Sequence, residues 1–178
     1  MRLNYLFSGI EVEVLQGFEH RGVVPINFPQ DICMFRINEI SMAVGLRYLK
    51  NGDNVLTIYR RDKSTFHQVF EFSSNHLTKI DCRAVKNVGY VAVVNSISSA
   101  DDSSEIPSSF VYSVKINERN ELDIDTMQIF PEPNQINVRL WSRNDDLFLI
   151  YTYNANALPS TCTLYKLFGE TFNATDFL

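Results

Sequence analysis

The stretch FVYSVKINERNELDIDTMQIF, residues 110–130, decides the architecture. A β-prone run reaches Tyr112, a polar NERN break follows at 117–120, and a second run closes on MQIF at Phe130. Short runs rich in Val, Ile, Phe and Tyr suit a pleated surface, and the polar break between them reads as a turn. The same grammar recurs along the chain. Tyrosines after short β-prone runs stand at Tyr5, Tyr59, Tyr112 and Tyr165, at intervals of 54, 53 and 53 residues. Each precedes a further strand ending in phenylalanine: LQGF at Phe18, HQVF at Phe70, MQIF at Phe130 and ATDF at Phe177, three of which read Gln-x-Phe.

Between one phenylalanine and the next tyrosine lie two more β-like runs: ICMFRI then ISMAVG, IDCRAV then YVAVVN, INVRLW then LFLIYTY. The repeat unit is therefore four short strands in about 53 residues, punctuated by NGD, NVG and NERN turns, and almost no helix is expected. Small four-stranded sheets bury their faces only against neighbouring sheets, which is the physics of propeller blades. The expectation is an all-β, β-propeller-like chain: a half blade at 1–23, with strands at 3–7 and 10–18, then complete blades at 24–72, 73–130 and 131–178. Twelve to fourteen strands follow, with Tyr59, Tyr112 and Tyr165 at equivalent positions. A unit that opens on its last two strands and an array that ends on a complete blade make an open arc or part of a larger propeller. Exposed blade ends of that kind lead to self-association. A β-sandwich is the alternative, but it gives no reason for the tyrosine interval.

The succession FHQVFEFSSNHLTKIDCRAVKNVGYVAVVNS at 66–96, followed by residues 110–130, resembles the epilepsy-associated repeat, also called the epitempin repeat. The shared pattern is an aromatic strand ending near glutamine, a polar link, an apolar strand, a turn, a Tyr-Val-Ala-Val-like strand ending in Asn95, a loop, and a Tyr-containing strand. It covers nearly the whole chain. The resemblance implies a seven-bladed propeller on secreted or cell-surface proteins that bind other extracellular proteins, including ADAM-type receptors, and it carries over no catalytic residues. The chain departs from the family in its long spacings, an acidic insertion in the middle unit, and only three complete repeats.

Composition limits the function classes. Hydrophobic residues make up 45% and charged residues 21% of the chain, the balance of a folded protein, and a net charge of −5 lacks the positive field that nucleic acid requires. No 18-residue apolar run offers a membrane span, and the opening MRLNYLFSGI meets Glu11 and Glu13 too early for a secretory signal. Cys33, Cys82 and Cys162 form no CxxC or Cys/His pattern, so structural zinc is disfavoured. Cys33 and Cys82 fall in apolar runs, where a small buried thiol is the commoner outcome. An odd count leaves at least one thiol unpaired and one disulfide open.

Candidate sites follow. His20, His67 and His76 lack metal-binding spacing and read as structural or solvent-facing, and no GxSxG, GxGxxG or phosphate-loop pattern occurs. No catalytic, cofactor or metal site is expected. The longest insertion, SISSADDSSEIPS at 96–108, connects the second and third strands of the middle unit. Its Asp101, Asp102 and Glu105 lack the order of a calcium loop and read as a solvated segment, and with Ile106 they are the candidate partner-binding residues. Trp141, Tyr151 and Tyr153 are weighed as an aromatic platform against a core position, which alternation favours. Arg60 and Arg61 beside Asp62 and Lys63 read as solvated turn charges. Asn173 opens an N-x-T acceptor, informative in a secreted chain. The leading functional expectation is a non-enzymatic, extracellular or cell-surface propeller that binds another protein. The alternatives are an enzyme or sugar-binding propeller with a central-funnel site, and an intracellular scaffold.

Overall fold

A computed structural model of the chain describes residues 5–6, 9–11, 23–26, 29–49, 53–74, 76–95, 108–132, 134–154 and 161–175. Among them are fifteen strands, and no helix is long and apolar enough to cross a membrane. Three are short: β1 (Tyr5–Leu6), β2 (Gly9–Glu11) and β3 (Val23–Val24). The other twelve form three four-stranded antiparallel blades in chain order. Blade 1 comprises β4 (Pro29–Ile37), β5 (Ile40–Tyr48), β6 (Asn54–Asp62) and β7 (Thr65–Ser74). Blade 2 comprises β8 (Leu77–Val85), β9 (Val88–Asn95), β10 (Ser109–Ile116) and β11 (Leu122–Phe130). Blade 3 comprises β12 (Gln135–Arg143), β13 (Asp146–Tyr153), β14 (Thr161–Phe168) and β15 (Thr171–Ala174). The segments expected as the last strands of a partial unit are described only as β1 and β2. They join through β3 to the outer edge of blade 1, by a parallel bridge of Val23 with Thr65.

Register explains the tyrosine interval. Tyr59, Tyr112 and Tyr165 each lie on the third strand of a blade, beside Ala43, Val91 and Leu149 on the second. The same rows continue to Met34, Cys82 and Leu140 on the first strands. Three residues beyond those positions, each first strand ends in a two-residue turn: Asn38–Glu39, Lys86–Asn87 and Asn144–Asp145. All six turn residues have positive φ, from 45 to 68°, as type I′ hairpins require. The Gln-x-Phe copies, by contrast, are not equivalent. Tyr59 faces Gln68 whereas Tyr112 faces Thr126, so Phe72 rather than Phe70 corresponds to Phe130. The longer 117–121 loop of blade 2 shifts the sequence count without shifting the sheet. Phe18 and Phe177 lie outside the described residues.

The blades stack face against face. One core joins blades 1 and 2 through Phe35, Met42, Leu56, Val91, Val93 and Tyr112, and a second joins blades 2 and 3 through Tyr90, Ala92, Phe130, Leu149, Tyr151 and Phe172. Strand β9 therefore contributes to both cores from alternate residues, which is why residues 90–94, YVAVV, carry no charged side chain and are all buried. The far face of blade 1 packs on Val24 and Ile26 through Ala43, Tyr59 and Phe66. Gly89 marks a close approach between blades: a Cβ there would run into the Phe35 ring.

The first strands carry links from blade to blade. Cys33 on β4 and Cys82 on β8 form a disulfide, with Cα atoms 5.8 Å apart, in the preferred range for such a bridge. This is the one disulfide that the odd cysteine count left open, formed in place of the buried thiols that were the commoner outcome. The register places Cys33 one row away from Cys82, and that stagger lets the two side chains meet between blades. Cys162 is free and exposed. Asp31 accepts the Ile80 N–H at 3.2 Å, and Asp81 accepts the Leu140 N–H at 2.8 Å, so a carboxylate from one blade satisfies an edge N–H of the next.

Candidate functional site

The turns of blades 2 and 3 border an open cleft of ≈ 780 Å³ between the two sheets. Its position follows from antiparallel connectivity. The turns joining first to second strands and third to fourth strands gather at one end of every blade, while the second-to-third connections gather at the other. Tyr90 and Ser113 lie toward the interior of the cleft, buried in the sheet of blade 2. Lys86, Lys115 and Asp125 come from blade 2, and Asp145, Asp146 and Glu170 from blade 3. Four carboxylates thus line it against two lysines.

Two ion pairs order these charges. Lys115 reaches Glu170 at 3.6 Å, linking blade 2 to blade 3, and both groups are well exposed. A pair of that kind contributes little to stability and is readily exchanged for another partner. Lys166 donates to Asp146 at 2.7 Å. Burial, followed by the negative charge of Glu170, raises the Tyr90 phenol above its ordinary range. Burial likewise raises Tyr59, Tyr112, Tyr151 and Tyr165, with the Tyr153 hydroxyl adding to the effect at Tyr165.

The sequence-derived candidates separate. Asp101, Asp102, Glu105 and Ile106 lie outside the described residues. Their loop leaves β9 at Asn95 and returns to β10 at Ser109, where the Asn95 N–H donates to the Ser109 hydroxyl at 3.1 Å. That base is at the opposite end of blade 2 from the cleft. Tyr151 is buried between blades 2 and 3, its hydroxyl donating to the Val93 carbonyl at 3.3 Å with the Phe110 carbonyl 3.4 Å away. Tyr153 shares its face and meets the Tyr165 hydroxyl at 3.3 Å, whereas Trp141 lies on the other face, stacked on Phe148. The three therefore form no common platform.

His67 is exposed on β7 beside buried Phe66, His76 is half-buried, and His20 lies outside the described residues. Arg60 departs from the solvated-turn expectation. It sits within β6 and donates to the Asn120 carbonyl at 2.6 Å and to its side-chain oxygen at 2.8 Å, tying blade 1 to the β10–β11 turn. Asn173 is exposed on β15.

Asp31 and Asp81 lie on the first strands of blades 1 and 2. Each accepts two backbone N–H bonds, Asp31 also from Ile32 at 3.1 Å and Asp81 also from Cys82 at 2.9 Å. Among the described residues no three His, Cys, Asp or Glu side chains gather as a metal site. Sequence reading missed the cleft because its residues come from four different turns. Its only signal was the acidic character of those turns, as in Asn144–Asp145–Asp146 and Gly169–Glu170.

No family model and no curated protein matches the chain. Among solved structures it is similar to the Bombyx mori GH32 β-fructofuranosidase BmSUC1, at 12% identity and a TM-score of 0.52, over 96% of this chain and 47% of that one. A mutant of the same Bombyx mori enzyme in complex with sucrose gives 11% identity, a TM-score of 0.53, and coverage of 94% and 47%. The chain thus spans about half the length of the solved chains it matches. Likeness at this identity speaks to architecture alone, and with the register above it shows an all-β, propeller-like array of three four-stranded blades.

Proposed function

We propose that the chain is a non-enzymatic recognition module that works outside the cell or at its surface and binds another protein through the turn end of blades 2 and 3. The observation that carries this reading is the use made of the first strands. Where a propeller would gather a funnel site, the chain spends Asp31, Asp81, Cys33 and Cys82 on fastening blade to blade. The disulfide supports an oxidising compartment, since such bridges persist in secreted and surface proteins and are rare in the cytosol. The cleft supports a protein partner with a basic segment: Asp125 and Asp145 can take up lysine or arginine side chains, and the exposed Lys115–Glu170 pair can exchange for an intermolecular one.

The solved neighbours include a β-fructofuranosidase and its sucrose complex. A sugar-directed version of this chain would need free carboxylates at the funnel, and the engagement of Asp31 and Asp81 by backbone N–H groups supports recognition over hydrolysis.

The test is cross-linking of the labelled chain to intact cells, comparing wild type with the Asp125→Lys/Glu170→Lys variant. Capture of a surface protein by wild type, reduced at least tenfold in the variant, is expected. Equal capture by the two would remove the cleft from the reading. Turnover of sucrose or another fructoside, lost in Asp81→Asn, would overturn the non-enzymatic assignment.

A further inference from the structure

The two junctions between blades are built on the same register and filled differently. One row beyond the tyrosines, Arg60 stands beside Met42 and Phe35 in blade 1, and Ser113 stands beside Tyr90 and Arg83 in blade 2. Arg60 and Ser113 are therefore counterparts. Each is on the face turned to the following blade, because Tyr59 and Tyr112 take the opposite face. At the blade 1–blade 2 junction Arg60 spans the gap: its guanidinium donates to the Asn120 carbonyl at 2.6 Å and to the Asn120 side-chain oxygen at 2.8 Å. One planar fork thus takes two acceptors on the turn of the next blade.

At the blade 2–blade 3 junction neither half of this bridge is present. Ser113 replaces the arginine with a single hydroxyl, and the tight turn Gly169–Glu170 replaces the longer 117–121 connection. The cleft of ≈ 780 Å³ is the space left between them. Its charge has the sign that holds a guanidinium: Asp125 stands directly opposite Ser113 in the sheet, and Glu170 lies across the gap, paired with Lys115 through exposed groups. In blade 1 the place of Asp125 is taken by His67, so the carboxylate belongs to the open junction and not to the one that Arg60 fills. Tyr90, Met127 and Leu167 give the cleft an apolar lining. An arginine side chain has the matching distribution, an apolar stem that carries a planar cationic fork.

We propose that this cleft is a slot for one arginine side chain of the partner protein, seated as Arg60 is seated one blade earlier, with its guanidinium between Asp125 and Glu170 and its stem along Tyr90, Met127 and Leu167. The partner supplies in trans the bridge that the chain supplies to itself at the preceding junction, and Glu170 exchanges Lys115 for it. This inference rests on the protein-recognition reading above and narrows its basic segment to arginine. A lysine ammonium is a point charge and does not offer the paired N–H donors that two facing carboxylates can share.

The test follows the backbone amides of the isotope-labelled chain by NMR during titration with N-acetylarginine amide and, separately, with N-acetyllysine amide. The arginine probe is expected to shift the amides of Ser113, Asp125 and Glu170 and to bind about fivefold more tightly than the lysine probe. In Ser113→Arg, where the chain fills the slot itself, the response should be lost. Asp125→Asn changes an exposed side chain at constant shape and should weaken the arginine probe about fivefold, which keeps the test decisive if Ser113→Arg does not fold. No response to the arginine probe, equal affinity for the two probes, or an undiminished response in Asp125→Asn overturns the slot. The cell cross-linking described above separates this inference from the reading beneath it. Capture by Ser113→Arg at the wild-type level overturns the slot and leaves recognition standing. A specific arginine response in a wild-type chain that captures no surface protein supports the slot and overturns the cell-surface reading.

Discussion

Replacing Cys33 and Cys82 together by alanine cuts the covalent link between the first strands of blades 1 and 2. The bridge closes a loop of 49 residues in sequence, and the chain-entropy relation assigns such a loop about 14 cal/mol/K, roughly 4 kcal/mol at 25 °C. For a chain of this length 1 kcal/mol moves the melting temperature by about 2–4 °C, so a fall of roughly 8–16 °C is expected by calorimetry. Guanidinium unfolding should show a lower midpoint and a steeper dependence on denaturant, because the uncrosslinked chain exposes more surface when unfolded. Cys162→Ala is the internal control: Cys162 is free and exposed, and its replacement should change stability by less than about 0.5 kcal/mol. An unchanged melting temperature in the double variant, or three reactive thiols in the untreated wild type, would refute the argument that this bridge ties two blades together.

Four further outcomes follow from the same geometry. Gly89→Ala should destabilise by about 1–3 kcal/mol, because the new methyl meets the Phe35 ring, and Phe35→Leu in the same chain should recover part of that loss in denaturant titrations; strict additivity would contradict the contact. Glu39→Gly should stabilise by about 0.5–1 kcal/mol, since Glu39 sits at φ 68° in a type I′ turn, and a loss of stability would show that the turn is of another kind. Raising the pH should destabilise the chain from about pH 10 upward: Tyr59, Tyr90, Tyr112, Tyr151 and Tyr165 keep their protons in the folded state while the unfolded chain ionises near the model value of 10.0, so their stabilisation is complete below that pH and is lost as pH climbs toward the folded values. Phenolate absorbance that titrates fully near pH 10 without unfolding would refute this. Gln128→Ala should cost about 1–2 kcal/mol and expose the Phe172 amide to hydrogen exchange, since Gln128 accepts the Phe172 N–H at 2.7 Å and donates to its carbonyl at 3.0 Å; unchanged protection at Phe172 would be the contrary result.

The part of this fold legible in the sequence was the part governed by period and spacing. Tyr59, Tyr112 and Tyr165 could be found by counting because the connection between the third strand of one blade and that of the next keeps nearly the same length, despite different internal loops. Fourth strands could not be aligned that way, since the 117–121 loop breaks the count and makes Phe72, rather than Phe70, the counterpart of Phe130. The first turn was signalled in blade 2 alone, by NVG at 87–89, because type I′ geometry usually announces itself by Asn-Gly or Asp-Gly and here it is built from Asn-Glu, Lys-Asn and Asn-Asp. The Cys33–Cys82 bridge depends on how far one blade is displaced against the next, which no single strand encodes. The cleft was hidden because its charges are adjacent only after four turns converge.

A first strand of a blade is also an edge of its sheet, and its outward N–H groups have no partner within that sheet. The chain answers this between blades: Asp31 takes the Ile80 N–H and Asp81 takes the Leu140 N–H, while Arg83 donates to the Ser142 hydroxyl at 3.1 Å beside them. These polar links fix the spacing and stagger of neighbouring first strands, which burial alone does not do, because hydrophobic contact is non-directional. The disulfide adds a covalent link between the first strands at the blade 1–blade 2 junction. The turn ends carry links of their own, Arg60 to Asn120 and Gln128 to Phe172, but Lys115–Glu170 is an exposed pair and the cleft beside it is open. A rigid interior that holds adaptable, charged turns at a set separation is a geometry suited to protein recognition. The same division explains why the repeat is legible inside the blades, where packing dictates residue type, and fades at their ends, where it does not.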